Sequence, residues 1–150
     1  MSYTAIIEIP KGSDRRIHKK MGTDKLGEFI DLGPTKEILP INGGIMPVCY
    51  GYLENIFNKE EGDEVDVLIF SNKEHKTGDI VQVEVFGIFV REDKDHKILA
   101  RDESVAIDIV ADIEPELLKL TREFFGHKHK IILVDDKDAA LEYLKECQEK

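Results

Sequence analysis

The longest β-prone run in the chain is DIVQVEVFGIFV at residues 79–90, and a glycine, Gly87, interrupts it near its end. A glycine inside a strand usually marks a bulge or the close approach of another backbone, and such bends help sheets to close into barrels. Further β-prone runs, separated by turn residues, predict strands at residues 4–9, 28–33, 66–70, 96–100, 106–113 and 130–134. The first two thirds of the chain therefore predict a β-barrel or a strongly curved sheet.

The last third of the chain contains two helical patterns. EPELLKLTREFFG (114–126) has a proline in its first turn and a glycine at its end, whereas DDKDAALEYLKECQ (135–148) offers Asp135 or Asp136 as N-cap. Strands followed by helices are typical of the α+β class. We predict a small closed β-barrel of the OB-like kind with two flanking helices. At 150 residues, the chain is expected to form one domain over residues 1–150.

The charge balance disfavours one class of function, nucleic-acid binding. The chain has 31 Asp and Glu against 21 Lys and Arg, a formal net charge of −10, whereas nucleic-acid binders need a positive surface. No apolar run approaches the roughly 20 residues that span a bilayer, and the N-terminus does not resemble a signal peptide. Cys49 and Cys147 are too far apart in sequence for a zinc motif. We expect a soluble cytoplasmic protein that binds neither nucleic acid nor membrane.

Acidic side chains are crowded at the predicted strand ends. EGDEVDVLIF (61–70) places three carboxylates before an apolar run, which by itself could be a solvated turn without function. A second acidic cluster, REDKDHK (91–97), follows another predicted strand, and Glu8 lies inside the first. Carboxylates that converge from several strands suit hard divalent cations, which prefer oxygen ligands and relieve the mutual repulsion. The pattern predicts a site for an ion such as Mg²⁺.

Basic side chains near such a site indicate the class of substrate. Mg²⁺ keeps part of its water and is usually completed by substrate phosphates, and Arg15, Arg16, Lys36 and Lys97 are available to bind them. Bound metal ions would polarise phosphoryl oxygens and generate hydroxide near neutral pH. The residues therefore indicate hydrolysis of a phosphate ester or anhydride without a protein nucleophile.

Several segments together resemble the soluble, Mg²⁺-dependent inorganic pyrophosphatases of the small β-barrel type. IIEIPKGS near the N-terminus is similar to that family's IEIPKGS, CYGYL (49–53) to its NYGYI, and EGDEVDVLIF to its DGDPxDVLV. REFFGHKHK (122–130) is similar to its HFFEHYK, and EDKDHKILA (92–100) to its later acidic turn and strand. The resemblance covers nearly the whole chain, and the order of the segments is more specific than any one of them.

The resemblance implies that the chain hydrolyses inorganic pyrophosphate to two phosphates by means of metal-bound hydroxide, with Mg²⁺ as the cofactor and Mn²⁺ as a possible substitute. Asp63 would hold and deprotonate the attacking water. The metal ligands would be Glu8, Glu61, Asp66, Glu92 and Asp95. The substrate contacts would be Arg16, Lys36, Tyr50, Lys97, Lys128 and His129. Members of the family are commonly homo-oligomers, and we expect the same here.

Departures from the family pattern leave alternatives open. Glu61 and Glu92 replace aspartates, which moves each carboxylate by about 1.5 Å, one carbon–carbon bond. His18 replaces a glutamate and Met46 a phosphate-binding tyrosine, while Lys36 is the nearest candidate for the family's phosphate-binding arginine. The chain could therefore act on another phosphoanhydride, or bind pyrophosphate and metal without catalysis. A nucleic-acid-binding barrel is disfavoured, because there is no Trp and the Phe residues fall largely in apolar runs.

Overall fold

The computed structural model describes residues 2–19, 28–59 and 62–148. The strands are β1 Ser2–Ile9, β2 Arg15–Lys19, β3 Phe29–Pro34, β4 Cys49–Phe57, β5 Glu64–Phe70, β6 Ile80–Arg91, β7 Lys97–Arg101 and β8 Ile131–Asp136. The α-helices are α1 Pro115–Phe125 and α2 Lys137–Gln148, and short 3₁₀ turns lie at Thr35–Glu37, Ile41–Gly44 and Val110–Asp112. The predicted metal ligand Glu61 lies outside the described residues.

Five strands form a closed barrel, as the sequence predicts. Their order is β1-β4-β5-β7-β6, and pairing between β1 and β6 closes the ring, while β8 adds a sixth strand to β6. β5 and β7 run parallel, whereas the other pairs are antiparallel. β2 and β3 form a separate two-stranded sheet.

The bend predicted at Gly87 is confirmed. The β6–β7 register shifts by one residue between Val85 and Gly87, which is a β-bulge. A Cβ atom at Gly87 would lie 2.8 Å from a methyl carbon of Val110 and 2.9 Å from the carbonyl oxygen of Asp135. Glycine is required here because the barrel wall is approached closely on its outer side.

The two helices cover different parts of the barrel. Ala140 and Leu144 of α2 are fully buried among barrel residues such as Leu53. Phe124 and Phe125 of α1 belong to a second apolar cluster at the other side. A fully buried Leu or Phe side chain contributes about 1.5–3 kcal/mol, so a few such contacts suffice to fix each helix. Within the described residues, neither helix is long and apolar enough to cross a bilayer.

The predicted strand at residues 106–113 is wrong. The segment is a loop that ends in the 3₁₀ turn at Val110–Asp112. The carboxylate of Asp112 accepts hydrogen bonds from the backbone of Asp108 (3.0 Å) and Ile109 (3.2 Å), and Asp136 accepts one from Val110 (2.9 Å). The backbone donors that a neighbouring strand would need are therefore bound to carboxylates.

Two strands, β2 and β4, were not predicted from the sequence. β2 is the basic run RRIHK, whose side chains are exposed or half-buried and show no apolar alternation. β4 begins as a continuously buried stretch, CYGYL, because it lies between β1 and β5 in the barrel wall. Continuous burial removes the period-two signal by which a half-exposed strand is recognised.

Candidate active site

A cavity of about 590 Å³ opens on one side of the barrel. It lies between strands β1, β4 and β5, the β2–β3 sheet and the turn between β6 and β7. Its lining residues are Glu8, His18, Lys19, Ile30, Leu32, Tyr50, Tyr52, Asp63, Glu64, Asp66 and Asp95. We call it the acidic cavity, because five of these residues are carboxylates and two are cations or histidine.

Strand pairing brings the two acidic clusters of the sequence together. In β5 the valines at 65 and 67 are buried in the core, so that the alternation turns Asp66 towards the cavity. The parallel register pairs Asp66 with Lys97 of β7, and Asp95 lies just before that strand. The amino group of Lys97 is 2.5 Å from Oδ2 of Asp66, 3.2 Å from Oδ2 of Asp95 and 3.4 Å from the hydroxyl of Tyr50.

The charge of Asp66 is poorly compensated. Burial raises the pKa of Asp66 to about 6, and the negative charge of Asp95 adds to this rise. The positive charge of Lys97 lowers the pKa but does not cancel the effect of burial. A cation that enters the cavity would lower this cost, and the carboxylate oxygens present are the donors that hard divalent ions prefer. Within the described ranges, no three acidic, His or Cys side chains already converge on one point, and the amino group of Lys97 contacts both Asp66 and Asp95. The donor chemistry therefore fits a divalent ion.

Glu8 is buried at the back of the acidic cavity. Its side chain is 7% exposed, and Oε2 accepts a hydrogen bond of 2.7 Å from the backbone of Lys19. Nδ1 of His18 lies 3.6 Å from the same oxygen, and this contact raises the pKa of His18. The amino group of Lys19 in turn binds Glu64 (2.5 Å) and lies 5.1 Å from the ring centre of Tyr52. These contacts hold β2 against the cavity.

A second pocket, of about 190 Å³, adjoins the acidic cavity and shares His18 and Tyr50 with it. Its lining residues are Ile9, Arg16, His18, Thr35, Ile38, Leu39, Met46, Tyr50, Arg91, Lys97, Phe124, Phe125, Lys128 and His129. None of these lining residues is acidic, whereas four are Lys or Arg. We call it the cationic pocket. The ring of Tyr50 stacks on Phe125, with centroids 5.5 Å apart, and so fixes the wall between the two spaces.

The structure brings together most of the residues that the sequence singled out. Four of the proposed catalytic and metal-binding residues line the acidic cavity: Glu8, Asp63, Asp66 and Asp95. Five of the proposed substrate contacts line the cationic pocket: Arg16, Tyr50, Lys97, Lys128 and His129.

Two predicted site residues lie elsewhere. Glu92 is exposed and lines neither space; its carboxylate accepts a hydrogen bond of 3.2 Å from the backbone of Lys130. Lys36 is exposed in the 3₁₀ turn at Thr35–Glu37 and also lines neither space. Their assignment as site residues stays a prediction.

Sequence reasoning missed two residues of the cationic pocket, Arg91 and Thr35. Arg91 is the last residue of β6, one position beyond the predicted strand, and binds Asp93. This bond lowers the pKa of Asp93 to about 2. Arg91 directly precedes an acidic run that the sequence assigns to the site, and this position indicates that its side chain can reach the site. Thr35 carries no such signal, because a lone Thr after a proline is common in loops.

Comparisons with known proteins agree with one another. The family model described as "Inorganic pyrophosphatase" matches residues 5–150. A protein named inorganic pyrophosphatase from Nanoarchaeum equitans is 27% identical over 138 residues, which cover 87% of this chain and 79% of that protein. An inorganic pyrophosphatase structure from Neisseria gonorrhoeae has a TM-score of 0.81 at 22% identity, covering 96% of this chain and 87% of the other. One from Thermus thermophilus has a TM-score of 0.80 at 21% identity, covering 97% and 88%.

Proposed function

The chain belongs to the inorganic pyrophosphatase family, and we propose that its two adjoining spaces together hydrolyse pyrophosphate to two phosphates. The observation that carries this proposal is the segregation of charge: a cavity lined by carboxylates opens beside a pocket lined by cations, with Tyr50 and His18 common to both. Pyrophosphate complexed with a divalent cation is complementary to this arrangement, because its metal ion suits the acidic cavity and its phosphate oxygens suit the cationic pocket. The complementarity between ligand and site comes from the summed charges of the residues that line each space.

The family implies dependence on a divalent metal ion. We propose Mg²⁺, with Mn²⁺ as a possible substitute, held by Glu8, Asp66 and Asp95 together with Glu61, whereas the exposed position of Glu92 does not support a place in this set. Such an ion, when bound, polarises phosphoryl oxygens and makes water more acidic.

Asp63 is proposed as the group that accepts the proton of the attacking water. It is exposed at the mouth of the acidic cavity, and one carboxylate oxygen accepts a hydrogen bond of 2.9 Å from the backbone of Glu64, which fixes its orientation. The water oxygen forms a bond to one phosphorus while the bond from that phosphorus to the bridging oxygen breaks. Lys97 and Arg16 then offset the charge of the departing phosphate.

Three further properties are part of the proposal. The chain acts as one domain over residues 1–150, assembles into a homo-oligomer as family members commonly do, and works in the cytoplasm. Pyrophosphate and phosphate are its ligands.

The direct test is phosphate release from pyrophosphate with Mg²⁺ and with the metal chelated, for the native chain, Asp63→Asn and a control, Asp108→Asn. Asp108 is a matched control because its side chain is 87% exposed and lines neither space. We expect metal-dependent release by the native chain and the control, and about 10²- to 10⁴-fold less by Asp63→Asn, the usual contribution of a general base. Equal release by native chain and Asp63→Asn would overturn the assignment.

A substrate panel separates the second candidate function. The cationic pocket contains Lys128 and His129 where the resembled family has Tyr-Lys, so a different phosphoanhydride could be preferred. Pyrophosphate, nucleoside triphosphates and phosphomonoesters should each be assayed with Mg²⁺, Mn²⁺ and Ca²⁺. Faster turnover of a triphosphate than of pyrophosphate would favour the altered hydrolase, and binding of pyrophosphate without turnover would favour a non-catalytic protein.

A further inference from the structure

Two polar groups in the cationic pocket are not among the substrate contacts assigned so far: the guanidinium group of Arg91 and the hydroxyl group of Thr35. We propose that Arg91 and Thr35 together bind one phosphate group of the substrate, and that Asp93 positions Arg91 for this contact. The inference rests on the proposed function, because it names the residues that recognise the substrate at the same site. It also replaces Lys36 as the candidate for the phosphate-binding arginine's task.

The hydrogen bonds of Arg91 leave one side of its guanidinium available. Nε donates to Oδ1 of Asp93 at 3.1 Å, and Nη2 donates to Oδ2 at 2.5 Å, so that Asp93 occupies one bidentate edge. On the other edge, Nη1 reaches the carbonyl oxygen of Phe125 only at 3.5 Å, and Nη2 lies 3.8 Å from Asp95. A phosphate oxygen pair can take this second edge, since a guanidinium presents two such edges to planar or tetrahedral oxyanions.

Asp93 restricts the conformation of the Arg91 side chain without placing a negative charge in the lining of the cationic pocket. The side chain of Arg91 is 12% exposed and that of Asp93 22% exposed, so their ion pair is largely removed from water and has a defined geometry. Asp93 itself does not line the cationic pocket, whereas Arg91 does. The arrangement therefore presents a fixed positive group to the pocket while its counter-charge stays behind it, which lowers the entropy lost when an anion binds.

Thr35 supplies an independent observation. It is 4% exposed and lines the pocket, and its backbone N–H is already bonded to the carbonyl of Asp14 at 2.8 Å. Its hydroxyl has no hydrogen-bond partner in the part of the chain that the structure describes. A buried hydroxyl without a partner is unfavourable, so a ligand that accepts its proton would relieve that cost. A phosphate oxygen in the pocket would be such an acceptor.

A purely structural role would have different consequences. Arg91 could serve only to tie the turn after β6 to α1, and Thr35 could be a tolerated defect. The two accounts differ in what Thr35→Val does, because valine keeps the shape and removes the hydroxyl. If the hydroxyl serves only a ligand, the substitution costs no stability and weakens anion binding.

The test measures binding of inorganic phosphate by isothermal titration calorimetry, together with the urea midpoint of unfolding, for Thr35→Val and a matched control, Thr121→Val. Thr121 is fully buried, but its hydroxyl donates to the carbonyl of Leu117 at 2.7 Å, and Thr121 is not among the residues that line the pocket. We expect Thr35→Val to bind phosphate roughly 2- to 10-fold more weakly with no loss of stability, the range of one neutral hydrogen bond. Thr121→Val should show the reverse, lower stability and unchanged phosphate affinity.

Arg91→Lys is compared with Arg101→Lys. Arg101 lies on the neighbouring strand β7, and its Nε donates to the carbonyl of Ile107 at 3.1 Å, away from the pocket. We expect Arg91→Lys to weaken phosphate binding about tenfold or more, because a point charge replaces a bidentate contact, and Arg101→Lys to change it by less than about twofold. Asp93→Asn should raise the KM for pyrophosphate while kcat stays within about twofold, since Asp93 acts through Arg91.

The outcomes are distinguishable from those of the proposed function. Phosphate binding that depends on Arg91 and Thr35, in a chain that does not hydrolyse pyrophosphate, would refute the enzymatic proposal and keep this one. Pyrophosphate hydrolysis by the native chain with unchanged phosphate affinity in Thr35→Val and Arg91→Lys would refute this inference alone. Absence of any phosphate binding by the native chain at millimolar concentration would also refute it. An unchanged KM in Asp93→Asn would remove the positioning role.

Discussion

Replacing Asp66 by Asn should stabilise the metal-free protein near neutral pH. Burial raises the pKa of Asp66 to about 6 in the folded chain, despite the favourable contact with Lys97. An unfolded aspartate titrates at about 3.9, so the folded state disfavours the ionised form by about two pK units. Each unit corresponds to about 1.4 kcal/mol, and ionising Asp66 at pH 7–8 therefore costs the fold up to about 3 kcal/mol. An amide in the same position carries no such cost.

The pH dependence has a defined sign. Because the folded pKa of Asp66 is raised, the folded chain binds a proton more tightly than the unfolded chain between about pH 4 and pH 6. The Asp66 contribution to the free energy of unfolding of the native chain must therefore fall as pH rises through this window, and then level off. Asp66→Asn lacks this contribution. The two proteins should differ most above about pH 7 and least near pH 4.

Urea unfolding at pH 4 to 8, monitored by circular dichroism in the presence of a chelator, measures this difference. Added Mg²⁺ should reduce the advantage of Asp66→Asn, because only the native chain has a carboxylate at this position to bind the ion. Asp108→Asn again serves as the control, since that side chain is exposed and should show no pH-dependent gain. An Asp66→Asn protein that is less stable than the native chain at pH 8, or a difference that does not shrink towards pH 4, would refute the reasoning.

Three other substitutions test a buried hydroxyl, a close backbone contact and a hydrogen-bonded carboxylate. Tyr52→Phe should leave the free energy of unfolding unchanged or raise it by up to about 1–3 kcal/mol, because the buried hydroxyl of Tyr52 has no partner within the described segments; a clear loss in urea unfolding would contradict this. Gly51→Ala should lower the thermal midpoint strongly, because the new Cβ would collide with the carbonyl oxygen of Ile6 in the β1–β4 pair, and a native midpoint would show that the backbone can yield. Burial alone would raise the pKa of Asp102, but hydrogen bonds from Ser104, Ser71 and His75 outweigh it and lower the pKa. The resulting stability is present above about pH 4 and is lost as pH falls through the lowered pKa, so Asp102→Asn should flatten the acid limb of a stability–pH curve, and an unchanged limb would exclude Asp102 as its source.

The barrel and its acidic cavity could be predicted because local signals and global pairing agree. The acidic run at 61–66 leads into the apolar residues of β5. The acidic residues at 92–95 come just before β7. Once β5 and β7 pair in parallel, the acidic ends of both strands must lie at the same edge.

The cationic pocket was harder to predict because its residues come from distant parts of the chain without a shared pattern. Arg16 lies in β2, a basic strand without apolar alternation, and Thr35 lies in a short 3₁₀ turn. The sequence favours Lys36, the residue next to Thr35, because of its charge, yet its side chain does not line the pocket. Which of two neighbours faces a ligand depends on turn geometry, and turn geometry is set by contacts that a sequence pattern does not contain.

The unfavourable features of this fold coincide with the proposed site. In the described part of the chain, the hydroxyls of Thr35 and Tyr52 are the buried side-chain polar atoms without a hydrogen bond, and each lines one of the two spaces. Asp66 lines the acidic cavity, and burial makes its ionised form costly. A fold selected for stability alone would pair or remove such groups, whereas a site that must bind a cation and an anion keeps them ready for ligands. The unsatisfied hydroxyl of Thr35 lines the pocket where phosphate oxygens are proposed, and the costly carboxylate of Asp66 lines the cavity where the metal is proposed, so each of these two groups has the chemistry to bind its proposed ligand.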